Sequence, residues 1–166
     1  VNNGYRVLLK DQSLEQAAKG TKGIWESLEN KRKKGILTSF QRDRLAGLAR
    51  GVEDYSGFES TDLVIEAVFE DLELKRNIVA ETEKEIPAHA ICASNTSSLP
   101  ISKIAEAATR PEQVIGMHYF SPVPKMPLLE IVKTEKTADW VTATAYEVGV
   151  NQGKTVILVN DGPGFY

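Results

Sequence analysis

Leu63–Ser94 reads LVIEAVFEDLELKRNIVAETEKEIPAHAICAS, and it decides the fold class. Leu63–Phe69 is an almost continuous apolar run with one embedded acid, Glu66. Such a run fits a strand of a parallel sheet covered on both faces, where neither side of the strand meets water. Glu70 and Asp71 close it. Leu72–Glu85 then carries Leu72, Ile78 and Val79 at helical spacing and is stopped by Pro87. Ala88–Ser94 is a second buried strand. A strand, a crossover helix and a second buried strand make a βαβ unit, the building block of an α/β doubly wound sheet.

The alternation continues outward. Upstream, Val1–Gly4 reads as the last turn of a helix with its Gly stop, and Tyr5–Lys10 as a strand ending at Asp11. Ser13 is a helix cap, and Leu14, Ala17, Ala18, Ile24, Trp25 and Leu28 recur at helical spacing to about Lys34. Thr38 or Ser39 caps a second helix, with Phe40, Leu45 and Leu48 as its apolar face and Gly51 as its stop. Downstream, Ile101–Ala108 is helical and Gln113–His118 is a strand. A proline-punctuated loop, FSPVPKMP, leads to a returning strand at Leu128–Val132. Ala138–Val150 is a helix and Thr155–Val159 a last strand. Asp161–Tyr166 stops just after a turn signal, so the chain reads as cut at both ends from something longer.

Composition narrows the class. With 166 residues, 42% hydrophobic, 26% charged and a net charge of −3, the chain has the makings of one core-forming globular domain. Interspersed charge of this kind offers no general footprint for nucleic acid. The basic run Lys31–Lys34 reads as a solvated helix end. The single cysteine, Cys92, excludes an intrachain disulfide and reads as a buried thiol. No apolar run is long enough for a transmembrane helix, no His/Cys spacing suggests a metal, and His89 reads as an exposed loop residue.

In an open α/β sheet, ligands bind beyond the carboxyl ends of the strands. Asp11, Glu70, Ser94–Ser97 and His118 all fall at or just past such ends, and are expected to converge on one crevice. Asp11 is placed to accept hydrogen bonds from an adenosine ribose, or else to cap the following helix. His118 is either a packed core residue or a general base, since an imidazole titrating near pH 6.5 takes a proton from an alcohol at about neutral pH. Glu130, in an apolar strand, needs a partner: His118, or alternatively Lys125 or Lys133. Within Ser94–Ser98, at least one side chain is expected to cap the helix at Ile101.

These motifs, ASNTSSLPIS, RPEQVIGMHYFSPVPKMPLLEIV, VIEAVFEDLELK and QGKTVILVNDGPGF, resemble the 3-hydroxyacyl-CoA dehydrogenases of fatty-acid β-oxidation over essentially the whole chain. Within that family, GMHYFSPVPKMPLLEIV and LTSFQRDR are most similar to the dehydrogenase region of mitochondrial trifunctional enzyme α subunits, with bacterial fatty-oxidation complexes next. The resemblance implies a Rossmann-like NAD-binding domain over residues 1–160, without its first strand and G-x-G-x-x-G turn. Residues 161–166 would begin a helical dimer domain. It implies His118 as general base, Glu130 as its carboxylate partner, and Ser97 on the substrate oxygen. Asp11, Glu70, Lys75 and Asn95 would contact NAD, and Lys22 would lie where the helical arm meets coenzyme A. Ser121 stands where many monofunctional relatives have Asn, in a loop that meets substrate. The implied setting is a mitochondrial oligomer with a thiolase β subunit as partner and inner-membrane association. The chain by itself is expected to be nearly inactive. The rival reading is a non-catalytic Rossmann-type binding or interaction domain.

Overall fold

The β-rich run after Gly4 forms β1 (Val7–Lys10), and α1 (Leu14–Lys33) follows it. The hydroxyl of Ser13 caps α1 by accepting from Gln16 N at 3.3 Å. Thr38 caps α2 (Ser39–Ala46) through a reciprocal capping box with Gln41. This is a computed structural model, describing residues 1–162, and it divides into two compact units, Val1–Phe58 and the remainder from Glu59.

The first unit departs from expectation after Ala46. The second helix does not run to Gly51. It stops at Gly47, and Ala49–Val52 forms β2, parallel to β1 with Val7 opposite Ala49. Gly51 is there for close approach: a Cβ on it would sit 3.2 Å from Ala17 Cβ of α1. The glycine therefore lets α1 lie against the strand and does not end a helix. The apolar faces expected on α1 and α2 are only partly covered. Ala17 and Leu28 are buried, whereas Trp25 and Phe40 are exposed, with the Arg42 guanidinium over the Trp25 ring.

The second unit carries a five-stranded sheet in the order β3 (Leu63–Glu66), β4 (Ile91–Ser94), β5 (Val114–Tyr119), β6 (Leu128–Lys133), β7 (Thr155–Asn160). All neighbours are parallel except β5 and β6. The connection from Tyr119 to Leu128 is too short for a parallel crossover, so the chain must return antiparallel. Helices α3 (Leu72–Glu85), α4 (Ile101–Ala105) and α5 (Asp139–Asn151) cover the faces. The core joins Ile91, Ala93, Ile115, Met117, Leu129 and Ile131 of the sheet to Val141 and Ala145 of α5. Burying each large aliphatic side chain there contributes about 1.5–3 kcal/mol.

Local chemistry explains the remaining differences. The strand expected to reach Phe69 ends at Glu66, whose carboxylate turns back to accept from Val68 N at 3.1 Å. No residue of Ser94–Ser98 caps α4. Pro100 stands at the cap position and has no side-chain acceptor, so the Asp161 carboxylate takes Ile101 N at 2.7 Å and Ser102 N at 2.9 Å. The ladders form two separate sheets among the described residues, where one had been expected. Of the stretch expected to open a helical domain, residues 163–166 lie outside the described residues.

Candidate active site

His118 and Glu130 face each other because β5 and β6 are antiparallel with these two residues in register. Side chains directly opposite on such a ladder leave the same face of the sheet. Here Nδ1 of His118 lies 2.6 Å from Oε2 of Glu130. The lysine alternatives for Glu130 are not needed: the imidazole meets the carboxylate where it is buried. The His118 side chain keeps 14% of its surface exposed and that of Glu130 6%. A carboxylate on Nδ1 holds the ring proton there and leaves the basic lone pair on Nε2. The Phe120 ring tilts against the imidazole, centroids 4.4 Å apart. Asn95 ties the end of β4 to the end of β5, its Oδ1 accepting from Tyr119 N at 2.8 Å.

The second cluster sits where β3 and β4 end. One oxygen of Glu70, Oε1, accepts from Thr96 Oγ1 at 2.6 Å, from Ser97 N at 2.9 Å and from Ser98 N at 3.2 Å. The hydroxyls of Ser97 and Ser98 reach the same oxygen. The other oxygen, Oε2, has the Lys75 ammonium at 3.4 Å, and about a third of the side chain (35%) is exposed. Burial acts to raise the Glu70 pKa, but the bonds from Thr96, Ser97 and Ser98 and the charge of Lys75 prevail and bring it down to about 2. Glu70 is thus a fixed anion with one oxygen engaged by the protein and one turned to the cation.

Lys75 is 1% exposed. Its ammonium donates to both Glu66 oxygens at 3.1 and 3.0 Å and to Val68 O at 3.2 Å. Glu66 in turn accepts a hydrogen bond from the Ser94 hydroxyl. Two residues in this cluster carry no individual role in the sequence reading, Glu66 noted only as an embedded acid and Thr96 only as part of Ser94–Ser97. Glu66 had a signal: an acid inside an apolar run needs a partner, and the next helix supplied one. Thr96 had none beyond its place in a polar run.

The other predicted site residues are placed as follows. Ser121 is exposed at the start of the loop joining β5 to β6. Asp11 lies exposed at the carboxyl end of β1 in the first unit and accepts from Gln12 N at 2.7 Å; the cap of α1 is Ser13, not Asp11. Lys22, also in the first unit, is exposed on α1 with Glu26 at 3.9 Å. His89 is exposed, 3.3 Å from Asp62. Cys92 is buried, and burial pushes its thiol up to about 12, so it stays protonated and inert near neutral pH. No group of three or more ligating side chains that could hold a metal occurs among the described residues.

A family described as "3-hydroxyacyl-CoA dehydrogenase, NAD binding domain" matches residues 1–162. FadB2 of M. tuberculosis is 37% identical with a TM-score of 0.91, covering 98% of this chain and 58% of its own. PaaH1, an (S)-3-hydroxybutyryl-CoA dehydrogenase of Ralstonia eutropha, is 34% identical with a TM-score of 0.93, covering 98% of this chain and 58% of its own. A 3-hydroxybutyryl-CoA dehydrogenase of Escherichia coli is 34% identical with a TM-score of 0.92, covering 98% of this chain and 34% of its own. The chain thus spans less than two thirds of each of these relatives.

Proposed function

The chain belongs to the 3-hydroxyacyl-CoA dehydrogenase family, as its NAD-binding domain, and on that premise we propose that the protein carrying it oxidises an L-3-hydroxyacyl-CoA to the 3-oxoacyl-CoA. The observation that carries the proposal is the His118–Glu130 contact of 2.6 Å across β5 and β6. In this reading the Nε2 lone pair of His118 takes the proton of the substrate's 3-hydroxyl. The negative charge of Glu130 stabilises the imidazolium that forms and keeps the ring oriented. The hydroxyl oxygen becomes the carbonyl of the product, and the hydrogen on C3 leaves as hydride. In the reverse direction His118 is the acid. Ser97 hydrogen-bonds the substrate oxygen, and Ser121 meets substrate from the following loop.

NAD+ supplies the hydride acceptor when bound. In this reading Asp11 accepts from its ribose hydroxyls, and Glu70 is a further contact with it. Glu70 offers a permanent anion with one oxygen on the Lys75 side, and Asp11 an exposed carboxylate past a strand end. A carboxylate at the Asp11 position also disfavours a 2′-phosphate, hence NAD over NADP. Asn95 lies beside the nicotinamide in this reading, and Lys22 near coenzyme A. Since Lys75 is 1% exposed, its charge acts on the cofactor through Glu70. A setting in fatty-acid β-oxidation, a mitochondrial location, and an oligomer with a thiolase partner at the inner membrane extend the same proposal. They rest on the sequence resemblance.

The test is NADH oxidation driven by acetoacetyl-CoA, using the longest polypeptide that contains this chain. Turnover that depends on His118 supports the dehydrogenase. Tight NADH binding without turnover favours the non-catalytic binding domain.

A further inference from the structure

Gln152-Gly153-Lys154 joins α5 to β7, and none of the three belongs to the His118–Glu130 pair or the Glu70 cluster. Gly153 adopts φ +78°, a left-handed turn that favours glycine, and reverses the chain tightly. The half-buried Lys154 side chain then crosses to the loop of residues 120–127. Its ammonium donates to Val123 O at 2.6 Å and to Met126 O at 2.7 Å. It also lies 5.9 Å from the centre of the Tyr119 ring. On either side of it, Gln152 Oε1 accepts from the Tyr119 hydroxyl at 2.8 Å, and Thr155 N donates to Pro127 O at 2.8 Å.

The loop needs this support. It has little apolar anchorage of its own, with Val123 and Met126 42% and 36% exposed. Two backbone carbonyls converging on one cation set a geometry that neither would keep alone, because charge-assisted hydrogen bonds are the stronger class. The loop begins with Phe120, which touches the His118 imidazole, and Ser121, and it returns into the strand that carries Glu130. We propose that Lys154 is a positioning residue for the acyl substrate, holding the 120–127 loop so that Phe120 keeps its place against His118 and Ser121 its place next in the loop. The inference rests on the dehydrogenase reading above. Lys154 touches neither the His118–Glu130 pair nor the Glu70 cluster, so its effect falls on the acyl substrate and not on the cofactor.

The experiment compares Lys154→Met, Lys154→Gln and Lys154→Arg with the parent, again in the longest polypeptide containing the chain. It measures KM for acetoacetyl-CoA, kcat, and the NADH dissociation constant by fluorescence. Lys154→Met is expected to raise KM about tenfold, with NADH affinity and kcat within about threefold of the parent. Lys154→Gln, which keeps one neutral donor, falls between. Lys154→Arg, whose fork can span two carbonyls, recovers most of the loss. If KM in the Met and Gln variants stays within about twofold of the parent, or if NADH affinity weakens by the same factor as KM, the positioning role is wrong. If the parent binds NADH but turns over no acyl-CoA, the dehydrogenase reading itself fails, and this inference fails with it.

Discussion

Lys75 and His118 each lie against a carboxylate of the five-stranded sheet, Lys75 against Glu66 at 3.0 Å and His118 against Glu130 at 2.6 Å. They are fitted for different work. The lysine is 1% exposed and its donors go to Glu66, Val68 O and Glu70. It is a charge built into the protein, which fixes the strand ends and sets the field at Glu70. The histidine keeps part of its side chain at the surface, 14% exposed, with its second ring nitrogen not used by the Glu130 contact. A closed ion pair contributes electrostatic preorganisation. A partly open pair is the arrangement that the proposed proton transfer requires. Removing each should therefore damage different quantities.

The largest effect is expected at the open pair. His118→Ala should lower the rate of NADH oxidation by acetoacetyl-CoA about 10²–10⁴-fold while NADH still binds. An equal loss of NADH affinity would mean that the histidine is structural and that the two clusters do not differ as described.

At the closed pair the damage should be to folding. Lys75→Met leaves Glu66 buried without its cation, and breaking one side of a buried pair costs about 3–5 kcal/mol. The midpoint of urea unfolding measures this. The double variant Lys75→Met with Glu66→Gln removes both charges and is expected to regain part of the loss. A single variant as stable as the parent would show that the lysine escapes to solvent.

Glu130→Gln sharpens the comparison. It keeps the shape and removes the charge that supports the imidazolium, so kcat should fall about 10²-fold with little change in unfolding midpoint. If stability falls as it does in Lys75→Met, the two pairs are alike after all.

The smallest effect concerns Glu70. Its carboxyl is held at about 2 in the folded protein, below its ordinary value of about 4.5. A depressed folded-state pKa means that its contribution is fully present above pH 4.5 and is lost as pH falls through about 2. Between pH 5 and pH 3, Glu70→Gln should therefore lose less stability than the parent, as read by paired urea titrations. An identical loss in both would show that the carboxylate is not held as the structure places it.

Periodicity made much of the five-stranded unit legible. The strands read at Leu63–Phe69 and Ala88–Ser94 and the helix Leu72–Glu85 follow from apolar spacing and punctuation, because such patterns act between residues close in sequence; the strands themselves are shorter, Leu63–Glu66 and Ile91–Ser94. The twelve-residue spacing of His118 and Glu130, broken by a proline-rich loop, already suggested a strand that returns. The antiparallel register then made them opposite. The β2 strand was not legible. Ala-Arg-Gly-Val has no strand pattern, and it becomes a strand because β1 pairs with it and α1 lies on Gly51.

What the sequence determined by itself, then, was the order of most strands and helices, the acids and the histidine at strand ends, and the family to which they belong. Only the tertiary structure decided where their partners came from. It brought Asp161 across 60 residues to cap α4, gathered Thr96, Ser97 and Ser98 on one oxygen of Glu70, enclosed Lys75 with Glu66, and carried Lys154 to the loop after His118. The reason is physical. Helix and strand preference are written in near neighbours, whereas a polar group removed from water bonds whatever acceptor or donor the fold brings within reach, however distant in the chain.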